Sequence, residues 1–161
     1  MIFRRSLLAA ALFAVALSAK ADEANPTEPQ PTLPTEELSI VTRDGKTHDF
    51  TVEMATTSAQ QTIGLMFRKD VPADSGMLFD WGGLRNSDMW MRNTISSLDM
   101  LFIDADGKIH HIAENAVPQS LAVISSDGQV RGTLELAAGT VEKLDIHVGD
   151  MVHQRIFGNA P

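Results

Sequence analysis

The sequence predicts an all-β fold, an antiparallel two-layer sandwich or distorted barrel with one or two short helices, and three observations predict it. Three Asp-Gly dipeptides, Asp44-Gly45, Asp106-Gly107 and Asp127-Gly128, each sit between strand-like segments, and this dipeptide supplies the positive φ angles that two-residue hairpin turns require. Phe50, Val52 and Met54 alternate with Asp49, Thr51 and Glu53, the period of a half-buried strand. Leu98 to Ile103 is apolar at every position but Asp99, the pattern of a central strand covered on both faces. Hairpins at this density favour a sandwich or barrel.

Taken in order, the chain opens with Arg4 and Arg5, an apolar run from Leu7 to Leu17, and small residues at Ala19 and Ala21. That is the build of a secretory signal at residues 1–21, cleaved near Ala21. The run falls short of the ~20 apolar residues of a spanning helix. No stable membrane anchor is therefore expected, and the predicted location is periplasmic or extracellular. Residues 22–35 carry Pro26, Pro29, Pro31 and Pro34 among polar and acidic residues, with Leu33 the one large apolar side chain. Such a stretch buries too little to offset its ordering entropy and reads as a disordered tether. Residues 36–158 have the length and aliphatic content of a single domain. Inside it, Thr57-Ser58-Ala59-Gln60 has the pattern of a capping box, and Ala59, Ile63 and Phe67 recur on one face, which predicts a helix over Thr57 to Phe67. A shorter helix is predicted over Ala138 to Leu144, followed by a closing strand from Met151 to Phe157.

Cysteine is absent from the chain, which excludes disulfides, thiolate metal sites, cysteine nucleophiles and lipoprotein anchoring. Loss of Arg4, Arg5 and Lys20 with the signal lowers the thirteen basic residues to ten against twenty-one acidic ones, a formal charge of about −11. Such a surface repels phosphate backbones and anionic lipid, and Arg68-Lys69 is the one basic cluster, so nucleic acid is not an expected partner.

Five separated motifs then occur in a characteristic order: Gly64-Leu65-Met66-Phe67-Arg68; Gly76-Met77-Leu78-Phe79; Met89-Trp90-Met91-Arg92-Asn93-Thr94; Leu98-Asp99 with Phe102-Ile103-Asp104; and Leu134-Glu135-Leu136 with Gly139. Together they resemble the domain of unknown function family 192, over nearly all of Phe50 to Val152. Met89 and Arg92 stand where members of that family commonly have Phe and Lys, changes that keep the apolar and cationic character. The resemblance implies a compact β domain, often behind a signal sequence, with no established activity.

Chemistry must then be read from the residues. The chain has no G-x-S-x-G elbow, Walker loop, G-x-G-x-x-G or H-E-x-x-H, which removes the usual grounds for hydrolase, nucleotide or zinc-protease readings. Asp104-Ala105-Asp106-Gly107 is similar to the start of a calcium loop, but the twelfth position is Asn115 rather than Glu, so a hairpin turn is preferred. His110 and His111 are adjacent on an expected strand and point to opposite faces, and His48, His147 and His153 show no ligand spacing. No metal site and no cofactor is predicted, with one soft alternative, Cu(I) held by the thioethers of Met89 and Met91.

Asp99 interrupts an apolar face, where it either accepts hydrogen bonds as a buried scaffold or serves as a perturbed acid or base. Glu135 is its possible partner, although alternation with Arg131 and Thr133 places Glu135 on a polar face that reads as solvated. Ligand-binding candidates are Arg68, Trp90, Arg92, Asn93, Asp99 and Glu135, expected where the Arg68 segment, the Trp90 to Thr94 segment and the Asp99 strand converge. The leading functional expectation is a non-catalytic binding or accessory module of the cell envelope, its partner an envelope component or a small polar ligand. An enzyme acting on a small or carbohydrate-like substrate through Asp99, with or without Glu135, is the alternative from a different class.

Overall fold

A computed structural model describes residues 25–160, so the signal-like stretch at 1–21 lies outside the described residues. Seven strands form one sheet: β1 Thr35–Val41, β2 Thr47–Ala55, β3 Ser75–Met89, β4 Leu98–Ile103, β5 Ile109–Ala116, β6 Ile124–Ala137 and β7 Met151–His153, in the order β5-β4-β6-β3-β2-β1-β7. The two outermost strands meet at one end. Ile109 N donates to Asp150 O (2.9 Å) and Val152 N to Gly107 O (2.7 Å), so the sheet is curled rather than open.

The fold is mostly β with few helices, as expected, but it is not purely antiparallel. β2 pairs β3 in parallel, from Thr51↔Ser75 to Ala55↔Phe79. Parallel neighbours need a crossover of about a dozen residues or more, and residues 56–74 provide it, with helix α1 Ser58–Ile63 at its start. The capping box is present: Gln60 N donates to Thr57 Oγ1 and Thr57 N to Gln60 Oε1. The helix nevertheless ends four residues earlier than predicted. Gly64 adopts φ 51°, ψ −133°, which no helix accommodates, and the chain turns to place Leu65 and Met66 in the interior.

Asp44-Gly45 joins β1 to β2 and Asp106-Gly107 joins β4 to β5, both hairpins as predicted. Lys108 N donates to Asp104 Oδ1 (2.8 Å) across the second turn, which is therefore a hairpin and not a cation loop. Asp127-Gly128 is different. It lies inside β6, where Asn86↔Gln129 is followed by Asp88↔Ser125, so the extra residues bulge out of the strand. The left-handed φ of Asp127 (53°) serves a bulge as well as a hairpin, and the dipeptide alone does not distinguish them.

Helix α2 spans Thr140–Leu144, beginning after Gly139 instead of at Ala138, and the closing strand stops at His153 before a 3-10 turn at Arg155–Phe157. The expected tether is packed onto the domain from Gln30 onward. Gln30 Nε2 donates to the carbonyls of Gln60 and Gly64 (3.1 and 2.9 Å), Leu33 joins an apolar cluster, and Thr35 begins β1.

Apolar side chains collect in two clusters on opposite faces of the sheet. One contains Ile40, Val52, Leu78, Leu101, Ile103, Leu134 and Leu136, and the other Met77, Phe79, Leu98, Met100, Phe102 and Val130. With both faces covered there, Asp99 of β4 and Thr133 and Glu135 of β6 are buried although they do not all face the same way.

Candidate functional site

The second cluster leads to a cleft of about 350 Å³. β3 supplies Phe79, Trp81, Arg85, Asp88 and Met89; α1 and its following turn supply Gln61, Gly64, Leu65 and Met66; Trp90 and Thr94 come from the next loop. Phe79 and Trp81, two apart on one strand, form a continuous aromatic wall with ring centroids 5.5 Å apart. Trp81 is fixed by its indole N–H, which donates to Thr133 Oγ1 (3.1 Å), and the Thr133 hydroxyl also bonds to that of Ser87 (3.2 Å).

Glu135 of β6 also lines the cleft. On β6 it is flanked by Met77 of β3 and Met100 of β4, its direct ladder partners, both fully buried. It is only 4 % exposed, and its Oε2 is buried without a hydrogen-bond partner. Desolvation disfavours the ionised form, and burial pushes the Glu135 carboxyl up to about 8. At neutral pH it is therefore mostly a neutral acid, able both to donate and to accept. The solvated polar face expected for Arg131, Thr133 and Glu135 is instead covered by residues brought from α1 and the turn after it. Thr133 is fully buried, and the Arg131 guanidinium is tied to Asp80.

Asp99 is on the other side of the sheet. It pairs with Leu136 in the ladder, next to Glu135, and consecutive strand residues face opposite ways, so the two carboxyls form no dyad. Asp99 is fully buried and accepts from Asn115 N (2.9 Å) and Val141 N (3.0 Å), joining the end of β5 to the first turn of α2. Its role is the buried scaffold, satisfied by backbone amides.

Of the six candidates, Trp90 and Glu135 line the cleft. Arg68 lies in a separate cleft of about 360 Å³, where its Nη2 meets Glu53 Oε2 at 3.1 Å. Arg92 extends to the Asn25 side chain and lies 5.4 Å from the Trp90 ring centroid. Asn93 holds a left-handed turn (φ 56°) and its carbonyl accepts from Phe67 N (2.9 Å), locking the two motif loops together. These loops do converge, as predicted, but Asp99 does not join them. Met89 lines the cleft while Met91 is fully buried in the core. Among the described residues, no group of three or more His, Asp or Glu is placed to hold a metal ion.

Sequence reasoning missed Phe79, Trp81, Arg85 and Asp88. The signal for the aromatic wall was present in the alternation Met77, Phe79, Trp81; nothing in that pattern says that a glutamate three strands later in sequence lies beneath it.

Fold and site together define a small, mostly β domain with one isolated carboxyl under an aromatic cleft. The chain belongs to domain of unknown function family 192, described as "Uncharacterized ACR", whose profile matches residues 39–154. The resemblance carried by the five motifs is thereby borne out. No curated protein matches the chain. Among solved structures it is similar to a Sinorhizobium meliloti 1021 protein described provisionally as a transcription regulator, with 46 % identity, 79 % of this chain and 98 % of that one covered, and a TM-score of 0.77. It is also similar to a protein of unknown function from Novosphingobium aromaticivorans DSM 12444, with 33 % identity, 86 % and 100 % covered, and a TM-score of 0.74.

Proposed function

We propose that the protein is a non-catalytic binding module that takes a small polar ligand into the cleft above Glu135. The observation that carries this reading is the unpartnered Oε2 of a buried carboxyl at an open aromatic cleft. A buried polar group without a partner is costly, and a ligand that hydrogen-bonds it recovers that cost. Trp81 and Trp90 supply flat apolar surface, and Arg85 and Asp88 supply polar contacts, the mixture expected of small-molecule sites. The signal-like N-terminus supports a role in the cell envelope or outside the cell; N-terminal sequencing of the product should then begin at Asp22.

A thermal-shift screen of small polar compounds tests the binding reading, because a ligand that binds only the native state raises the melting temperature. Hits should vanish in Trp81→Ala and weaken at least tenfold in Glu135→Gln. Hits that persist in both variants would move the site elsewhere.

One observation favours a second reading. A carboxyl held neutral near pH 7 is what a general acid requires, and Asp88 lines the same cleft. Glycoside chemistry would need the two carboxyls about 5 to 10 Å apart, and a hydrolytic turnover abolished in both Glu135→Gln and Asp88→Asn would establish it. The acidic surface opposes nucleic-acid binding, the role that the description of the Sinorhizobium relative would carry over.

A further inference from the structure

The groups around Glu135 define the kind of ligand that the cleft accepts. Phe79, Trp81 and Trp90 line the cleft with aromatic surface, and Met66 and Met89 line it with polarisable thioether side chains. Aromatic faces carry negative charge density and attract cations, Trp most strongly. Both indoles already do so here: the Arg85 guanidinium lies 4.9 Å from the Trp81 ring centroid and that of Arg92 5.4 Å from Trp90. The ionisable groups facing Glu135 are few. β3 contributes Arg85 and Asp88, both exposed; α1, the 64–66 turn and Thr94 contribute none; and the nearest cation on β6, Arg131, is tied to Asp80. Arg92, on the loop after β3, sits against Trp90 but extends to Asn25 and does not line the cleft. Among the lining groups, two carboxyls against one exposed guanidinium, itself seated on Trp81, leave an excess of negative charge once Glu135 ionises. The charge of about −11 over the chain after Ala21 adds a field of the same sign.

We infer that the cleft binds a small organic ammonium ion, its alkyl groups against Trp81, Trp90 and Phe79 and its charge over Glu135. This rests on the reading of the cleft as a ligand site and names the ligand class. Binding is an exchange: the ammonium ion enters, the Glu135 O–H bond breaks, and the proton leaves to solvent while its electron pair stays on the carboxylate. Below the pKa of Glu135 one proton is released per cation bound, so affinity rises about tenfold per pH unit there and levels off above about pH 8. Arg85 leaves the ring face as the ligand arrives, which its exposed position permits.

The test uses choline and its uncharged carbon isostere 3,3-dimethyl-1-butanol, each titrated into the chain from Asp22 onward between pH 6 and pH 9, with the indole N–H resonances of Trp81 and Trp90 as readout. Choline should shift both resonances, more tightly as pH rises, and calorimetry at pH 6.5 in buffers of different ionisation enthalpy should report release of close to one proton. The isostere should bind at least tenfold more weakly. In Glu135→Gln the pH dependence should disappear. In Trp81→Leu, which keeps the carboxyl, affinity should fall while proton release persists. Equal binding of the isostere, or choline binding without proton release, overturns the ammonium assignment yet leaves a ligand cleft. Absence of any shift with choline up to pH 9 overturns it as well, and neutral hits in the thermal-shift screen that depend on Trp81 would then show that the cleft reading survives.

Discussion

Glu135 illustrates how one side chain couples stability to pH. Its ordinary carboxyl value is 4.5 and its folded value about 8, so between these two pH values the folded state holds a proton that the unfolded state has lost. Stability is therefore full below about pH 4.5, falls as pH rises toward 8, and is flat beyond. The cost of keeping this group is at most on the order of 5 kcal/mol above pH 8, since each pKa unit is worth about 1.4 kcal/mol. Glu135→Gln removes the titration while keeping shape and hydrogen-bonding capacity. Urea unfolding at pH 5 and pH 9 should show the parent losing several kcal/mol across that interval through this residue, with most of that loss absent in the variant. An equal slope in both proteins would show that Glu135 is already solvated or paired. Such a costly group, flanked by Met77 and Met100 and left with an unpartnered oxygen, is the physical reason to read it as functional.

At the level of elements, Asp99 does the opposite work. It ties three pieces together: β4, which carries it; the end of β5, through the left-handed Asn115; and α2, whose first turn it caps from a distant part of the chain. A carboxylate at a helix start also complements the partial positive charge there. Asp99→Asn replaces one acceptor oxygen with an NH₂ group facing an amide N–H, so one hydrogen bond is lost and two donors oppose each other. Denaturant unfolding should report a loss of about 1.5–3 kcal/mol, with faster amide exchange in 140–144 and unchanged ligand affinity in the cleft. A fall in ligand affinity with stability preserved would return Asp99 to the site. The sequence made this residue conspicuous because it breaks an apolar run. It could not say which face was concerned, since that depends on the register Asp99↔Leu136, set by pairing with a strand that begins 25 residues later in number at Ile124.

Across the whole molecule, what could be read in advance is what depends on local periodicity: the half-buried β2, the fully covered β4, two of the three Asp-Gly hairpins and the capping box of α1. What could not be read depends on elements meeting from far apart. The parallel β2–β3 pair follows from a crossover whose geometry no dipeptide announces, and the burial of Glu135 follows from that same crossover folding back over β6. The Pro-rich stretch is a further case, because composition predicts a free tether while Gln30 and Leu33 find partners on the domain. Gln30 bonds the carbonyls of Gln60 and Gly64, so it braces the α1 end that walls the cleft. A chain starting at Thr35 should lose at least about 2–3 kcal/mol, because it lacks the hydrogen bonds made by Gln30, Leu33 N and Pro34 O and the packing of Leu33 on the apolar cluster, and should bind cleft ligands more weakly. Unchanged stability would mean that this stretch contributes nothing to the domain. A neutral carboxyl beneath the aromatic wall is tested most directly by a ¹³C NMR titration of the Glu135 side-chain carboxyl, assigned by its disappearance in Glu135→Gln. A midpoint near 8 is predicted; a midpoint near the ordinary 4.5 would contradict it.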